Sequence, residues 1–152
     1  MELDAAVADP YFYRGNMFFG RNDFTHALAD YKKATELNPG YAQAFYNMGV
    51  CYNSLQNFTE AETVLTRSLN LQPNEFTYQV RANTYFYTKQ YVKAIADYSG
   101  ALKLNPNMPG VYNDRGVCYL YLQDKQKACA DWKTAAEMGF QRSAELLANY
   151  CK

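Results

Sequence analysis

The sequence predicts an all-α fold, an α-solenoid of antiparallel helix pairs, on three observations. A motif returns four times at a step of 33 or 34 residues, each unit carries two apolar stripes with helical spacing, and a proline closes three of the four units. Two-helix units bury their apolar faces by stacking on one another. With 152 residues and 49% hydrophobic content, the chain is long enough for one such domain.

The first helix of each unit is predicted from an aromatic residue, a small residue four positions later and an aromatic three positions after that. This stripe occupies Tyr11–Phe18, Phe45–Tyr52, Tyr78–Tyr85 and Tyr112–Tyr119. Its small residues step by 34, 33 and 34, at Gly15, Gly49, Ala82 and Gly116. The i, i+4, i+7 spacing places all three on one helical face.

The second helix is predicted from a small residue, a large residue four positions later and a small residue three positions after that. Its columns are Ala27, Ala61, Ala94 and Ala128, then Tyr31, Leu65, Tyr98 and Trp132, then Ala34, Ser68, Ala101 and Ala135. Pro39, Pro73 and Pro106 stop this helix in the first three units, because proline lacks a backbone donor. We expect Asp9 and Pro10 to start the first helix, with Asp9 as its cap.

These columns define the predicted domain organisation. One domain spans residues 1–152, with repeats at 8–41, 42–74, 75–108 and 109–140 and an amphipathic capping helix at about 141–152. About seven residues precede the first repeat, so we expect either an uncovered first edge or a chain cut from a longer protein.

The columns resemble the tetratricopeptide repeat, whose 34-residue pattern is aromatic-x-x-Leu-Gly-x-x-Tyr, then Ala, an aromatic and Pro. The resemblance covers about Ala8 to Phe140, and the ending A-C-A-D-W-K-T-A-A-E-M-G-F…Y-C is similar to the close of many bacterial members. It implies a right-handed superhelix whose concave surface, lined by the first helices, binds other proteins.

A charged column precedes the small residue of the first helix. It holds Arg14, Met48, Arg81 and Arg115, and sixteen positions downstream stand Asp30, Val64, Asp97 and Asp131. Since the two columns change together, we predict an ion pair across three helical hairpins and an apolar contact in the second. The alternative is a solvated arginine face with independent aspartates. Either way these charges belong to the scaffold.

Projection of the first helices predicts a concave groove rich in amides and aromatic rings, with Asp9 as almost its only charge. Amides suit the backbone of an extended peptide, and aromatics are common interface anchors. We therefore expect an uncharged or mixed peptide or partner helix; the alternative is that these side chains pack against neighbouring repeats. The predicted groove residues are Phe12, Asn16, Phe19, Gln43, Tyr46, Asn53, Phe76, Gln79, Asn83, Phe86, Tyr87, Asn113 and Tyr121, together with Val50, Val117 and Leu120.

The family's best-known ligand, the acidic C-terminal tail of chaperones, is not expected here. Asn16 and Asn47 match the two asparagine positions of that carboxylate clamp. Its basic positions instead hold Phe12, Phe76 and Val80, so a carboxylate would lose its charge-assisted hydrogen bonds.

Four cysteines and one histidine complete the candidates. Cys129 and Cys151 would form a disulfide if their α carbons approach within about 7 Å, or remain two reduced thiols. Cys51 and Cys118 share a column and are interpreted as packing residues. His26 is expected to be exposed, and no metal site is expected because neither C-x-x-C spacing nor a cluster around the histidine occurs.

The predicted function is a protein-interaction module with a scaffold or adaptor role; the alternative is a self-associating module, a homodimer. We expect no enzyme and no cofactor, because no nucleophile–base pair, phosphate loop or carboxylate pair is found. Fifteen basic residues balance fifteen acidic ones, which gives no attraction to nucleic acid or anionic membranes. The acidic start lacks a signal peptide's features, so we expect a cytoplasmic protein, or a periplasmic or exported one if a leader was removed.

Overall fold

The computed structural model describes residues 5–151, and within this part of the chain every regular element is an α-helix. The nine helices are α1 (Ala5–Phe19), α2 (Phe24–Leu37), α3 (Ala42–Ser54), α4 (Phe58–Leu71), α5 (Glu75–Tyr87), α6 (Tyr91–Leu104), α7 (Pro109–Tyr121), α8 (Lys125–Glu137) and α9 (Gln141–Tyr150). The all-α helical repeat fold is thus confirmed. None of these helices is long and apolar enough to cross a bilayer.

The chain divides into two compact units, each containing two repeats. Unit 1, Met1–Pro73, contains α1 to α4, and unit 2, Asn74–Lys152, contains α5 to α9. Within each unit the two helices of a repeat pack on one another, and the second helix of one repeat packs on the first helix of the next. The prolines act as expected, since α2, α4 and α6 all end two residues before one.

One predicted boundary is wrong. Helix α1 begins at Ala5, so Asp9 lies inside the helix and does not cap it. The Asp9 side chain instead accepts a hydrogen bond at 2.9 Å from the hydroxyl of Tyr41, just before α3. This bond ties the first helix of one repeat to the start of the next.

A left-handed residue closes the first helix of every repeat. These residues are Asn22, Gln56, Lys89 and Gln123, with φ between 58° and 62°. Gly139 takes the same role after α8, at φ 87°, and the Phe140 amide returns to the Ala135 carbonyl at 3.0 Å. Such a six-to-one bond satisfies a carbonyl that the helix end would otherwise leave unpaired.

The small-residue columns allow the two helices of a repeat to approach closely. A Cβ added to Gly116 would lie 2.6 Å from Nε1 of Trp132, which is fully buried and donates to the Asn113 carbonyl at 3.1 Å. In repeat three the column holds Ala82, in the same buried cluster as Tyr98. A small residue in this column therefore lets a large side chain of the second helix pack directly against the first helix.

Helix α9 packs on α8 of the last repeat. Ser143 is fully buried, and its hydroxyl donates to Oδ1 of Asn113 at 2.9 Å. The ring of Tyr150 lies 5.9 Å from that of Trp132. A disulfide between Cys129 and Cys151 joins α8 to the end of α9, with the α carbons 5.8 Å apart.

Candidate functional site

The arginines of the charged column are all paired with their aspartates. Arg81 donates from Nε and Nη2 to both carboxylate oxygens of Asp97, at 2.7 and 2.8 Å. Arg115 binds Asp131 in the same bidentate way at 2.8 and 2.7 Å. Hydrogen bonding to the carboxylate raises the pKa of each arginine, so the pairs stay charged.

The three pairs differ in burial. The side chains of Arg81 and Arg115 are only 16% and 18% exposed, whereas that of Arg14, paired with Asp30 at 2.6 and 2.7 Å, is 60% exposed. Solvent screens an exposed pair far more than a buried one. Arg115 also donates to the hydroxyl of Ser99 on α6 at 2.9 Å, a partner that the sequence columns did not indicate. These ion pairs join the two helices of each repeat, and the Arg81 and Arg115 pairs are largely shielded from solvent.

In unit 1 two of the predicted groove amides, Asn16 and Gln43, both bond the side chain of Asn47. Nδ2 of Asn47 donates to Oδ1 of Asn16 at 2.9 Å and to the Tyr31 hydroxyl at 3.3 Å. That hydroxyl donates to the same Asn16 oxygen at 2.8 Å, and Gln43 reaches Asn47 at 3.4 Å. This chain of amides connects two successive repeats.

Two of the predicted groove residues are buried, which corrects their assignment. Phe12 is 8% exposed, because its ring stacks on Tyr41 with centroids 4.7 Å apart. Asn113 is 1% exposed, because Ser143 of the capping helix binds its side chain. Neither side chain can contact a partner in this structure.

The other predicted groove residues keep at least part of their surface. Gln43, Phe76, Tyr87 and Tyr121 are exposed; half-buried are Asp9, Asn16, Phe19, Tyr46, Val50, Asn53, Gln79, Asn83, Phe86, Val117 and Leu120.

Unit 2 contains an open cavity of about 240 Å³. Its lining residues come from four helices: Asn83, Phe86 and Tyr87 from α5, Tyr98 from α6, Asp114 and Val117 from α7, and Arg142 from α9. Asn83 accepts a hydrogen bond from the Tyr98 hydroxyl at 2.6 Å. We refer to this site as the unit 2 cavity.

The sequence analysis missed the charged residues of the unit 2 cavity. Burial raises the pKa of the Asp114 carboxyl, while a hydrogen bond from Asn113 and the nearby charge of Arg142 act in the opposite direction. A signal for Asp114 was present, since it stands two residues before Gly116 as Asn47 does before Gly49. Arg142 belongs to the capping helix, outside the repeat columns, and no signal pointed to it.

An aromatic cluster lies beside this cavity. The rings of Tyr91 and Tyr121 stack in parallel with centroids 4.6 Å apart, and the Phe86 ring lies within 5.8 and 6.0 Å of them. Tyr121 is exposed, so this cluster presents ring surface to solvent.

The remaining candidates have structural surroundings. Burial raises the pKa of the Cys51 and Cys118 thiols to about 12, which keeps them protonated and unreactive. His26 is exposed, and its ring bonds Asp23 at 2.7 Å at the start of α2. Within residues 5–151 no three His, Cys, Asp or Glu side chains gather as a metal site would require.

Comparison with known proteins gives the family directly. A family model described as "TPR repeat" matches residues 15–56 and 82–123, and one described as "Tetratricopeptide repeat" matches 42–75. The Hsp70-Hsp90 organizing protein of Triticum aestivum is 30% identical over 106 residues, which cover 68% of this chain and 18% of that protein. The matched region thus covers about a fifth of the length of these curated relatives.

Solved structures share the fold. MamA superposes with a TM-score of 0.85 at 21% identity, over 90% of this chain and 76% of that one. The first TPR of Spaghetti (RPAP3), bound to the HSP90 peptide SRMEEVD, gives 0.77 at 23% identity, over 79% of this chain and 96% of that one. Repeat columns, helix pairs and family models agree, and the chain belongs to the tetratricopeptide repeat family.

Proposed function

We propose that the first-helix faces of this protein bind a peptide or partner helix, and that the protein acts as a scaffold or adaptor through this binding. The observation that carries the proposal is the unit 2 cavity, which opens between first helices of successive repeats beside exposed rings. Tyr87 lines the cavity and remains 64% exposed. Exposed rings beside a cavity that also offers polar groups are common anchoring sites in interfaces.

The family supports a protein as the ligand. Members of this family include a protein named for organising Hsp70 and Hsp90, and a repeat domain solved with a bound HSP90 peptide. The peptide in that complex is acidic, whereas this chain carries Phe76 and Val80 where a carboxylate clamp has basic residues. The unit 2 cavity is lined by one negative charge, Asp114, and one positive charge, Arg142, so it gives no net attraction to an acidic tail. An uncharged or mixed peptide therefore fits better than an acidic tail.

Peptide selection against the purified, folded protein tests this proposal. Peptides enriched from a displayed random library are remeasured against Phe76→Ala/Tyr87→Ala and against the control Val92→Ala. Val92 is 70% exposed but lies on α6, a second helix. We expect the double variant to lose at least about tenfold in affinity, and the control to lose none.

Two results would contradict the proposed function. One is a selection that enriches no peptide. The other is a set of peptides that bind the double variant as tightly as the wild-type chain. Melting curves of all three proteins show whether any loss of binding comes from unfolding.

Self-association is the second candidate, favoured by the exposed aromatic cluster. Tyr121 and Leu122 present apolar surface at the end of α7. Sedimentation velocity at two concentrations distinguishes the candidates: a sedimentation coefficient that rises with concentration in the wild type, but not in Tyr121→Ala, indicates a homodimer. A concentration-independent monomer rejects it.

A further inference from the structure

We propose that the unit 2 cavity binds the cationic side chain, lysine or arginine, of a partner peptide, with Asp114 as its counter-charge. This inference rests on the proposed function, since the peptide is the one that the first-helix faces bind. It identifies the chemistry of one subsite, which neither the family nor the clamp positions indicate.

The equivalent place in unit 1 is filled by side chains of the protein itself. There Asn16 accepts from the hydroxyl of Tyr31, and the Asn47 amide donates to both. The Asn47 amide thus donates to an oxygen of each neighbour, and the three side chains bond one another.

Unit 2 keeps the acceptors and loses the donor. Asn83 and Tyr98 stand fifteen residues apart, as Asn16 and Tyr31 do, and form the same hydrogen bond. The column of Asn47, however, holds Asp114. An ionised carboxylate only accepts hydrogen bonds, so Asp114 cannot donate to Asn83 as Asn47 donates to Asn16.

The resulting opening has acceptor oxygens at its wall, and Asp114 stands where unit 1 has the Asn47 amide. Asn83, Tyr98 and Asp114 all line the cavity, whose volume of about 240 Å³ accommodates a long side chain. Asp114 accepts a hydrogen bond from Asn113 at 3.0 Å, which leaves acceptor capacity on its carboxylate. An ammonium or guanidinium group supplies several donors and the opposite charge.

The other walls suit a cation as well. Phe86 and Tyr87 contribute aromatic rings to the cavity, and ring faces attract ammonium and guanidinium groups while packing against the aliphatic stem. Burial raises the pKa of Asp114, which reflects a carboxylate lacking full compensation for its lost hydration. A bound cation would supply that compensation.

Arg142 allows a test of whether the cavity binds a positive or a negative group. It lines the same cavity and lies within electrostatic reach of Asp114, but no ion pair joins the two among the described residues. Its charge repels an incoming cation. Removing Arg142 should therefore strengthen cation binding, and removing the charge of Asp114 should abolish it; a site for anions would show the opposite signs.

The test uses the full chain, labelled with ¹⁵N, and two matched probes. Nα-acetyl-lysine N-methylamide is the cationic probe, and Nα-acetyl-norleucine N-methylamide has nearly the same shape without the charge. The side-chain amide of Asn83 reports on the cavity, at constant ionic strength. We expect a saturable shift with the lysine probe at a Kd of about 1–10 mM and a several-fold weaker response to the norleucine probe.

The variants Asp114→Asn and Arg142→Gln complete the experiment. Asp114→Asn places in unit 2 the amide that repeat two already carries, so it should fold, and its spectrum verifies this. We expect Asp114→Asn to weaken lysine-probe binding by at least about tenfold and Arg142→Gln to tighten it by about threefold.

Several results would overturn the proposal: no saturable shift in the wild type and Arg142→Gln up to about 50 mM probe, equal binding of both probes, or unchanged binding by Asp114→Asn. An anionic probe that gains affinity in Asp114→Asn and loses it in Arg142→Gln would replace the cation site by an anion site. None of these results changes whether the peptides selected under the proposed function bind the protein. The two proposals can therefore fail independently.

Discussion

Replacing Asp97 by alanine leaves the Arg81 guanidinium largely buried without its carboxylate. The two side chains are 16% and 9% exposed and share two hydrogen bonds of 2.7 and 2.8 Å. Loss of one partner from a buried pair costs about 3–5 kcal/mol. Because Arg81 keeps some contact with solvent, we expect the lower end, about 3 kcal/mol of unfolding free energy.

The double variant Arg81→Met/Asp97→Val removes both charges together. Repeat two already carries Met48 and Val64 in these columns, and Met48 is buried. Replacing a buried ion pair by apolar groups of similar volume is often nearly neutral. We therefore expect the double variant to lie within about 1 kcal/mol of the wild type.

Urea unfolding followed by circular dichroism measures both effects. Asp30→Ala is the matched control, because its partner Arg14 is 60% exposed and stays hydrated after the loss. The control should unfold at a clearly higher urea concentration than Asp97→Ala. Equal destabilisation by Asp97→Ala and the double variant would refute the reasoning, as would a control as unstable as Asp97→Ala.

The remaining predictions concern packing, titration and the cap. Gly116→Ala should cost about 1–3 kcal/mol in thermal unfolding, since the added carbon meets the buried Trp132 ring; an unchanged melting temperature would contradict this. Asp114 has a folded pKa above its usual 3.8, so its ionisation destabilises the fold as pH rises from that value towards the folded pKa. Asp114→Asn should therefore have a higher melting temperature than the wild type at about pH 7, and a smaller increase over the wild type at about pH 4. An equal increase at both pH values would contradict this prediction. The wild-type mass should rise by two hydrogens on reduction of Cys129–Cys151, whose 22-residue separation gives a stabilisation of about 3 kcal/mol in the chain-entropy model; an unchanged mass means free thiols.

Repetition explains why the sequence predicted the scaffold well. Four copies show which positions change together, and the Arg81–Asp97 pair follows from that comparison alone. Small residues such as Gly116 also identified the packing face, because close helix contact excludes larger side chains there.

The binding surface was harder to predict, because the exposure of its residues depends on side chains outside the repeat columns. Asn113 is buried by Ser143, which belongs to the capping helix and has no counterpart in the columns. Phe12 projects towards the groove on a helical wheel, yet stacks on Tyr41, the residue that precedes α3. Asp114 was overlooked because it replaces an amide, Asn47, that bonds Asn16 and Tyr31 in unit 1.

Chemical-shift mapping of the ¹⁵N-labelled chain with a selected peptide tests the central claim most directly. If the first-helix faces bind the partner, the largest shifts fall on α5 and α7, around Asn83 and Tyr87. Shifts concentrated on second helices, around Val92, or no shift at all would contradict the assignment of binding to these faces.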